Sequence, residues 1–133
     1  DGKFYFARDC ELNPRGPRAE GCPVLVGTTR PRMGKLMAKY ADMWNGWGTP
    51  AEISQLNNVL DDHCRKFDRN PDEIERTVAL FEYADEATYD QYLAAGATHI
   101  IIVQSGPTYE FEELGNLLSW RDNRNQQIGE AHG

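Results

Sequence analysis

A chain of 133 residues with 40% hydrophobic content is the size of one ordinary domain and has room for one core. Its net charge of −7, with no basic cluster longer than two residues, argues against a nucleic acid or an anionic membrane as partner. No apolar run approaches the roughly 18 residues that cross a bilayer and no signal-like start is present, so the cytoplasm is the expected location.

Cysteine and histidine usage adds little chemistry. Cys10, Cys22 and Cys64 are odd in number and form no C-x-x-C pair, while His63, His99 and His132 are not spaced as metal ligands. Reduced thiols and no structural metal are expected. His63 and Cys64 are adjacent, so on a helix they point apart, which suits packing better than a shared site.

Residues 1–22 form an extended lead-in. The chain opens Asp1-Gly2-Lys3 without methionine, as a piece of a longer polypeptide would. Phe4, Tyr5 and Phe6 are β-prone and Asn13-Pro14-Arg15-Gly16-Pro17 is dense in turn formers, which predicts a short strand or hairpin followed by irregular chain.

From Pro23 the pattern sharpens. Val24, Leu25 and Val26 form an apolar run that stops at Gly27, and Met33, Leu36, Met37, Tyr40 and Ala41 then recur at helical spacing. A buried strand turning into a helix is expected, with Thr29 as N-cap and Pro31 in the first turn. Arg30 and Arg32 stand where the helix dipole is already positive, so the loop reads as a phosphate or carboxylate site or as two solvated arginines. Asp42 to Trp47 is a short strand or loop whose tryptophans serve as core or wall a pocket, and Asp42 caps or braces the backbone.

Thr49-Pro50-Ala51-Glu52 is a capping box with proline at the first helical position, so a helix starts there. Ile53, Leu56, Leu60, Cys64 and Phe67 keep one face apolar, Asn57, Asp61 and Arg65 take others, and Asn70-Pro71 ends it. Ile74 to Tyr83 reads as a strand whose centre, Thr77 to Phe81, is buried on both faces. Asp85 to Ala95 is helical, with Gly96 as the left-handed residue after it. Thr98 to Val103 is the clearest buried strand, and a last helix runs from about Glu110 through Leu114, Leu117, Leu118 and Arg121. Asn125 to Gly133 is polar and is expected to fray; residues 126–133 are taken as a tail.

The order is strand then helix, four times over, which implies α/β architecture with parallel strands and right-handed crossovers. A small open sheet with helices on both faces fits. So do four βα units of an eight-stranded TIM barrel with outer helices, which in full takes about 250 residues.

The residues also carry a family resemblance. P-V-L-V-G-T-T-R-P-R-M, L-M-A-K-Y-A-D-M-W-N and F-D-R-N-P-D-E-I resemble the C-terminal half of the bacterial-luciferase-like family of flavin- or deazaflavin-dependent monooxygenases and oxidoreductases. In that family a strand with a glycine-rich turn leads to a helix ending A-x-x-A-D-x-W-N, and later to a G-R-D-P-like turn. Tyr40, Ala41, Asp42, Trp44 and Asn45 match, and Arg69, Asn70 and Pro71 match loosely, whereas Thr28 and Thr29 replace glycines. The resemblance implies the C-terminal half of a TIM (β/α)8 barrel over residues 23–125, with residues 1–22 as the segment wrapping outside it.

It also implies FMN, or a deazaflavin (coenzyme F-420), as cofactor and a small organic substrate, both at the C-terminal ends of the strands. The loops facing that way are Gly27 to Arg32, Trp44 to Gly48, Tyr83 to Glu86 and Gln104 to Thr108. Gly27, Thr28, Thr29 and Arg30 would take the cofactor's phosphate side, and Trp44 and Asn45 would line the same mouth. No residue stands out as a general base. Four barrel strands leave two open edges and an uncovered inner face, so a missing N-terminal half or self-association is expected to cover the sheet, and little turnover is expected from this chain alone. The other readings are a truncated, non-catalytic binding or oligomerisation module, and an unrelated nucleotide-binding domain, against which stands the lack of a G-x-G-x-x-G or P-loop motif.

Overall fold

The computed structural model describes residues 2–11, 17–18, 21–107, 109 and 111–131. Strands β1 (Leu25–Gly27), β2 (Met43–Gly46), β3 (Glu75–Leu80) and β4 (His99–Ile102) form one sheet in the order β1-β2-β3-β4, every neighbouring pair parallel. Each is followed by a helix: α1 (Gly34–Tyr40), α2 (Pro50–Lys66), α3 (Glu86–Ala94) and α4 (Glu112–Ala131). A doubly wound sheet reverses its strand order at a switch point, whereas a barrel keeps chain order. The observed order is that of four successive barrel units.

Successive strand residues point to opposite faces. The register Val26↔Trp44↔Arg76 and Gly46↔Val78↔Ile100 puts these residues on one face with Leu80 and Ile102. This face meets the helices: Trp44, Val78 and Leu80 belong to one buried cluster with Met37, Ala38, Ile53, Leu60, Cys64, Tyr89, Tyr92 and Trp120. Leu25, Met43, Asn45, Glu75, Thr77, Ala79, His99 and Ile101 share the other face, the inner one in a barrel. There Leu25 is 47% exposed, while Thr77 and Ala79 at the centre of the sheet are buried.

Local signals explain much of this. Thr49 accepts the Glu52 N–H while the Glu52 carboxylate accepts the Thr49 N–H at 2.7 Å, so the expected capping box starts α2. Asp85 caps α3 through the Thr88 N–H at 2.8 Å, and Gly96, at φ +97, leaves the helix in the left-handed conformation. Asp42 braces the backbone by accepting the Val24 N–H at 2.7 Å.

Other expectations are corrected. Phe4, Tyr5 and Phe6 form no strand and stand 78%, 86% and 74% exposed, because β propensity without a neighbouring strand builds no ladder. The turn expected over 13–17 lies, except for Pro17, outside the described residues. Thr29 caps nothing. Instead the Thr28 hydroxyl accepts the Arg30 N–H at 3.0 Å, and the chain passes through a 3-10 turn (Pro31–Met33) before α1 begins. Strand β4 is not the fully buried one: its residues are exposed or half-buried, since it has one neighbour and one covered face. Phe81 lies beyond the end of β3 and is 65% exposed. The last helix continues past 125 to Ala131; its expected start at Glu110, like His132 and Gly133, falls outside the described residues.

Candidate functional site

All four strands end on the same side, so the segments starting at Thr28, Trp47, Phe81 and Val103 make one rim, part of the C-terminal mouth where barrel enzymes carry their chemistry. The loops expected to face that way do so, with Thr108 outside the described residues.

The β1 segment is held from behind. Trp44 Nε1 donates to the Thr28 carbonyl at 2.7 Å, and the Thr28 N–H donates to the Asn45 carbonyl at 3.0 Å. Thr28 and Thr29 are half-buried, and Arg30 and Arg32 are exposed with no ion pair among the described residues. A Cβ added at Gly27 would meet nothing within 4 Å, so space is open in front of it.

Trp44 and Asn45, neighbours in sequence, part company. Asn45 is half-buried on the inner face, where the Thr77 hydroxyl lies 2.8 Å from its Oδ1 and 3.1 Å from the Trp44 carbonyl oxygen, with one proton for the two. Trp44 was expected to line the mouth. Its register points it at the helices and it is 1% exposed, so it is a core residue that fastens the Thr28 loop. Gly46 makes room for it: a Cβ there would sit 2.6 Å from Trp44 Cζ2.

The aromatic that does stand at the mouth is the other tryptophan. Trp47, 43% exposed, and Phe81 line a cleft of about 370 Å³ with Gly48, Ala79, Tyr83 and Tyr92. Tyr92 donates to the Gly48 carbonyl at 2.7 Å, and the Tyr89 hydroxyl accepts the Ala84 N–H at 3.0 Å, so α3 anchors the loops after β2 and β3. Burial, then the Glu52 carboxylate, pushes the Tyr92 phenol up, which keeps it a donor. Phe81 was legible as part of an apolar run but not as a surface residue, because nothing in the run marks where the strand ends.

A larger cleft of about 980 Å³ lies at the opposite end of the strands, around Arg76. The charge at its centre is already paired. Arg76 donates to the Ile74 and Pro71 carbonyls at 3.0 and 3.1 Å, to Asn57 Oδ1 at 3.1 Å and to Asp61 Oδ1 at 2.8 Å. A satisfied guanidinium at the N-terminal side of a barrel sheet braces the fold. On the inner face Glu75 and His99, at the starts of their strands, lie 3.5 Å apart. Burial pushes the Cys64 thiol up, as suits packing rather than reactivity. Among the described residues no group of three or more His, Cys, Asp or Glu could hold a metal, and no helix is long and apolar enough to cross a membrane.

A parallel sheet in chain order with its loops gathered at the C-terminal ends defines the chain as a segment of a (β/α) barrel. The family model of the luciferase-like monooxygenases matches residues 1–132, and the chain belongs to that family. No curated protein matches it significantly.

Proposed function

We propose that the chain forms the C-terminal half of the active-site mouth of an oxidoreductase that uses FMN or a deazaflavin. The observation that carries this reading is the pair Trp47 and Phe81, large aromatics exposed at the ends of β2 and β3, where water is a poor neighbour and a flat ring a good one. Asn45, with Thr77 on its Oδ1, offers its amide NH₂ on the inner face, and Arg30 and Arg32 supply positive charge for the cofactor's phosphate side at the β1 end. These residues suit the group chemically. When bound, it would supply the hydride or electrons for turnover, and the protein's part is to stack, orient and neutralise it.

Two expectations shift under this reading. Trp47 replaces Trp44 as the ring-facing residue. The phosphate contact rests on Thr28, Thr29 and the arginine side chains, because a three-residue 3-10 turn stands where the first turn of a longer helix was expected. The inner face, with Leu25 and His99 open to solvent, is covered in the working protein by further barrel strands.

The test is a fluorescence titration of the full chain with FMN and with coenzyme F-420, at low and high salt. Binding of one of them, weakened about tenfold by Arg30→Ala with Arg32→Ala and by Trp47→Ala, is expected. Saturable binding indifferent to all three substitutions places the cofactor elsewhere; no binding of either favours the non-catalytic module.

A further inference from the structure

The inner face carries a polar row just below the rim. The register Gly27↔Asn45↔Thr77↔His99 runs straight across the sheet, and Asn45 stands one residue before the end of β2. On one side of Asn45 the space in front of Gly27 is open; on the other is Thr77, 1% exposed. His99 ends the row beyond Thr77 and lies 3.5 Å from Glu75.

A buried hydroxyl finds its partners within the protein. Thr77 has two, Asn45 Oδ1 at 2.8 Å and the Trp44 carbonyl oxygen at 3.1 Å, and no other among the described residues. Both are oxygens, and a hydroxyl has one proton to give. The Asn45 side chain resolves the conflict, because a carboxamide has nearly the same shape at its two ends and opposite chemistry. In one arrangement Thr77 donates to Asn45 Oδ1, and the amide NH₂ points away. In the other, Thr77 donates to the Trp44 carbonyl, its hydroxyl oxygen accepts an N–H of the turned amide, and Asn45 Oδ1 points away. A half-turn of one amide and a rotation of one hydroxyl separate the two, and neither leaves Thr77 unbonded. Asn45 is half-buried, and the outward end of its amide bonds to nothing among the described residues.

We propose that Thr77 is a positioning residue that lets Asn45 offer the mouth either a hydrogen-bond donor or an acceptor, and that the ligand edge it meets changes from acceptor to donor in use. This rests on the cofactor reading and narrows it. The central-ring nitrogen of FMN that takes up hydrogen on reduction is an acceptor when oxidised and an N–H donor when reduced, whereas a deazaflavin carries carbon there. The pair therefore fits FMN and serves both states of the ring. A valine at position 77, equal in shape, serves only one. It leaves the Trp44 carbonyl as the polar group at the inner end of the amide, which favours the NH₂ there and Asn45 Oδ1 outward.

The test is equilibrium ultrafiltration of the full chain with FMN, oxidised and then reduced by dithionite under nitrogen. Wild type and Thr77→Ser are expected to bind the two states within about threefold of each other, and Thr77→Val to lose about fivefold for the oxidised state alone, the size of one hydrogen bond. A merely structural Thr77 would weaken both states alike; that result, or an unchanged ratio in Thr77→Val, overturns the proposal. The free chain gives a second readout. Its Asn45 amide turns fast, so the nitrogen-15 signal is a population average, expected to drift more steeply with temperature in wild type and Thr77→Ser than in Thr77→Val. Equal drift in all three overturns the two arrangements whether or not FMN binds. Failure of wild type to bind FMN in either state, with the drift as expected, overturns the ligand and leaves the pair standing.

Discussion

The two faces of the sheet are built from the same strands and behave as different materials. On the helix side Trp44, Val78 and Leu80 are at most 8% exposed and interlock with residues from all four helices, and the one charge there, Arg76, is bonded on every side. On the inner side burial is complete only at the centre of β3, where Thr77 and Ala79 are 1% and 7% exposed, while Leu25 is 47% exposed and the Glu75 and His99 side chains 44% and 52%. Outside the centre of β3, a residue's exposure follows the parity of its position in the strand more than its type.

Trp44→Ala tests the covered face hardest. It removes the largest fully buried side chain and the indole N–H that holds Thr28, and a cost of about 3–5 kcal/mol is expected in urea unfolding. Hydrogen exchange at the Thr28 loop should accelerate with it. Unaltered exchange there would mean that the indole packs without anchoring the loop.

Arg76→Leu comes next. The substitution leaves Asn57, 8% exposed, and Asp61 without the guanidinium, and about 2 kcal/mol of destabilisation is expected, less than for a fully buried pair because Asp61 stays 29% exposed. A double-mutant cycle with Asn57→Ala should show coupling between the two positions. Strict additivity would mean that Arg76 contributes through packing alone.

These two residues also mark the limit of what the sequence reveals. Capping chemistry is local, so the Thr49–Glu52 box, the Asp85 cap and Gly96 were all legible within four residues, and so was the alternation of strands and helices. Facing is not local. Trp44 reads equally well as core or as pocket wall, and only the register with Val26 and Arg76 decides. Asn57 and Asp61 read as the polar side of α2, and their role becomes visible only when Arg76 arrives 15 residues past Asp61. Phe4 to Phe6 mislead for the same reason, since a strand needs a neighbour that no propensity supplies. Of the candidate site, the loops were legible; that Trp47 and Phe81 stand at their ends was not, because each owes its place to where a strand stops.

Smaller effects come from the helix ends, which belong to neither face. Thr49→Ala should cost about 1 kcal/mol, and its effect should depend on pH. The Thr49 N–H and hydroxyl hold the Glu52 carboxyl below its ordinary 4.5, so folding favours the ionised form. That contribution is complete above about pH 5 and is lost as pH falls through the lower folded-state value. The urea midpoints of wild type and Thr49→Ala should therefore converge in acid. A constant gap down to pH 2 would show that the Thr49 hydroxyl takes no part in holding the Glu52 carboxylate.

The smallest expected effect is the most informative about the inner face. Leu25→Ser exchanges one apolar side chain for a polar one at an edge strand, at a point of the inner face that the structure leaves open, and a change within about 0.5 kcal/mol is expected. Burial against further strands would alter this arithmetic. A covered leucine loses its transfer free energy and leaves a cavity, so the same substitution would then cost about 2 kcal/mol or more. The substitution therefore reports whether the inner face is buried, with no need for a ligand or turnover. A large cost in the isolated chain would mean that a second copy already covers the sheet, and its dependence on protein concentration would identify that copy as the cover.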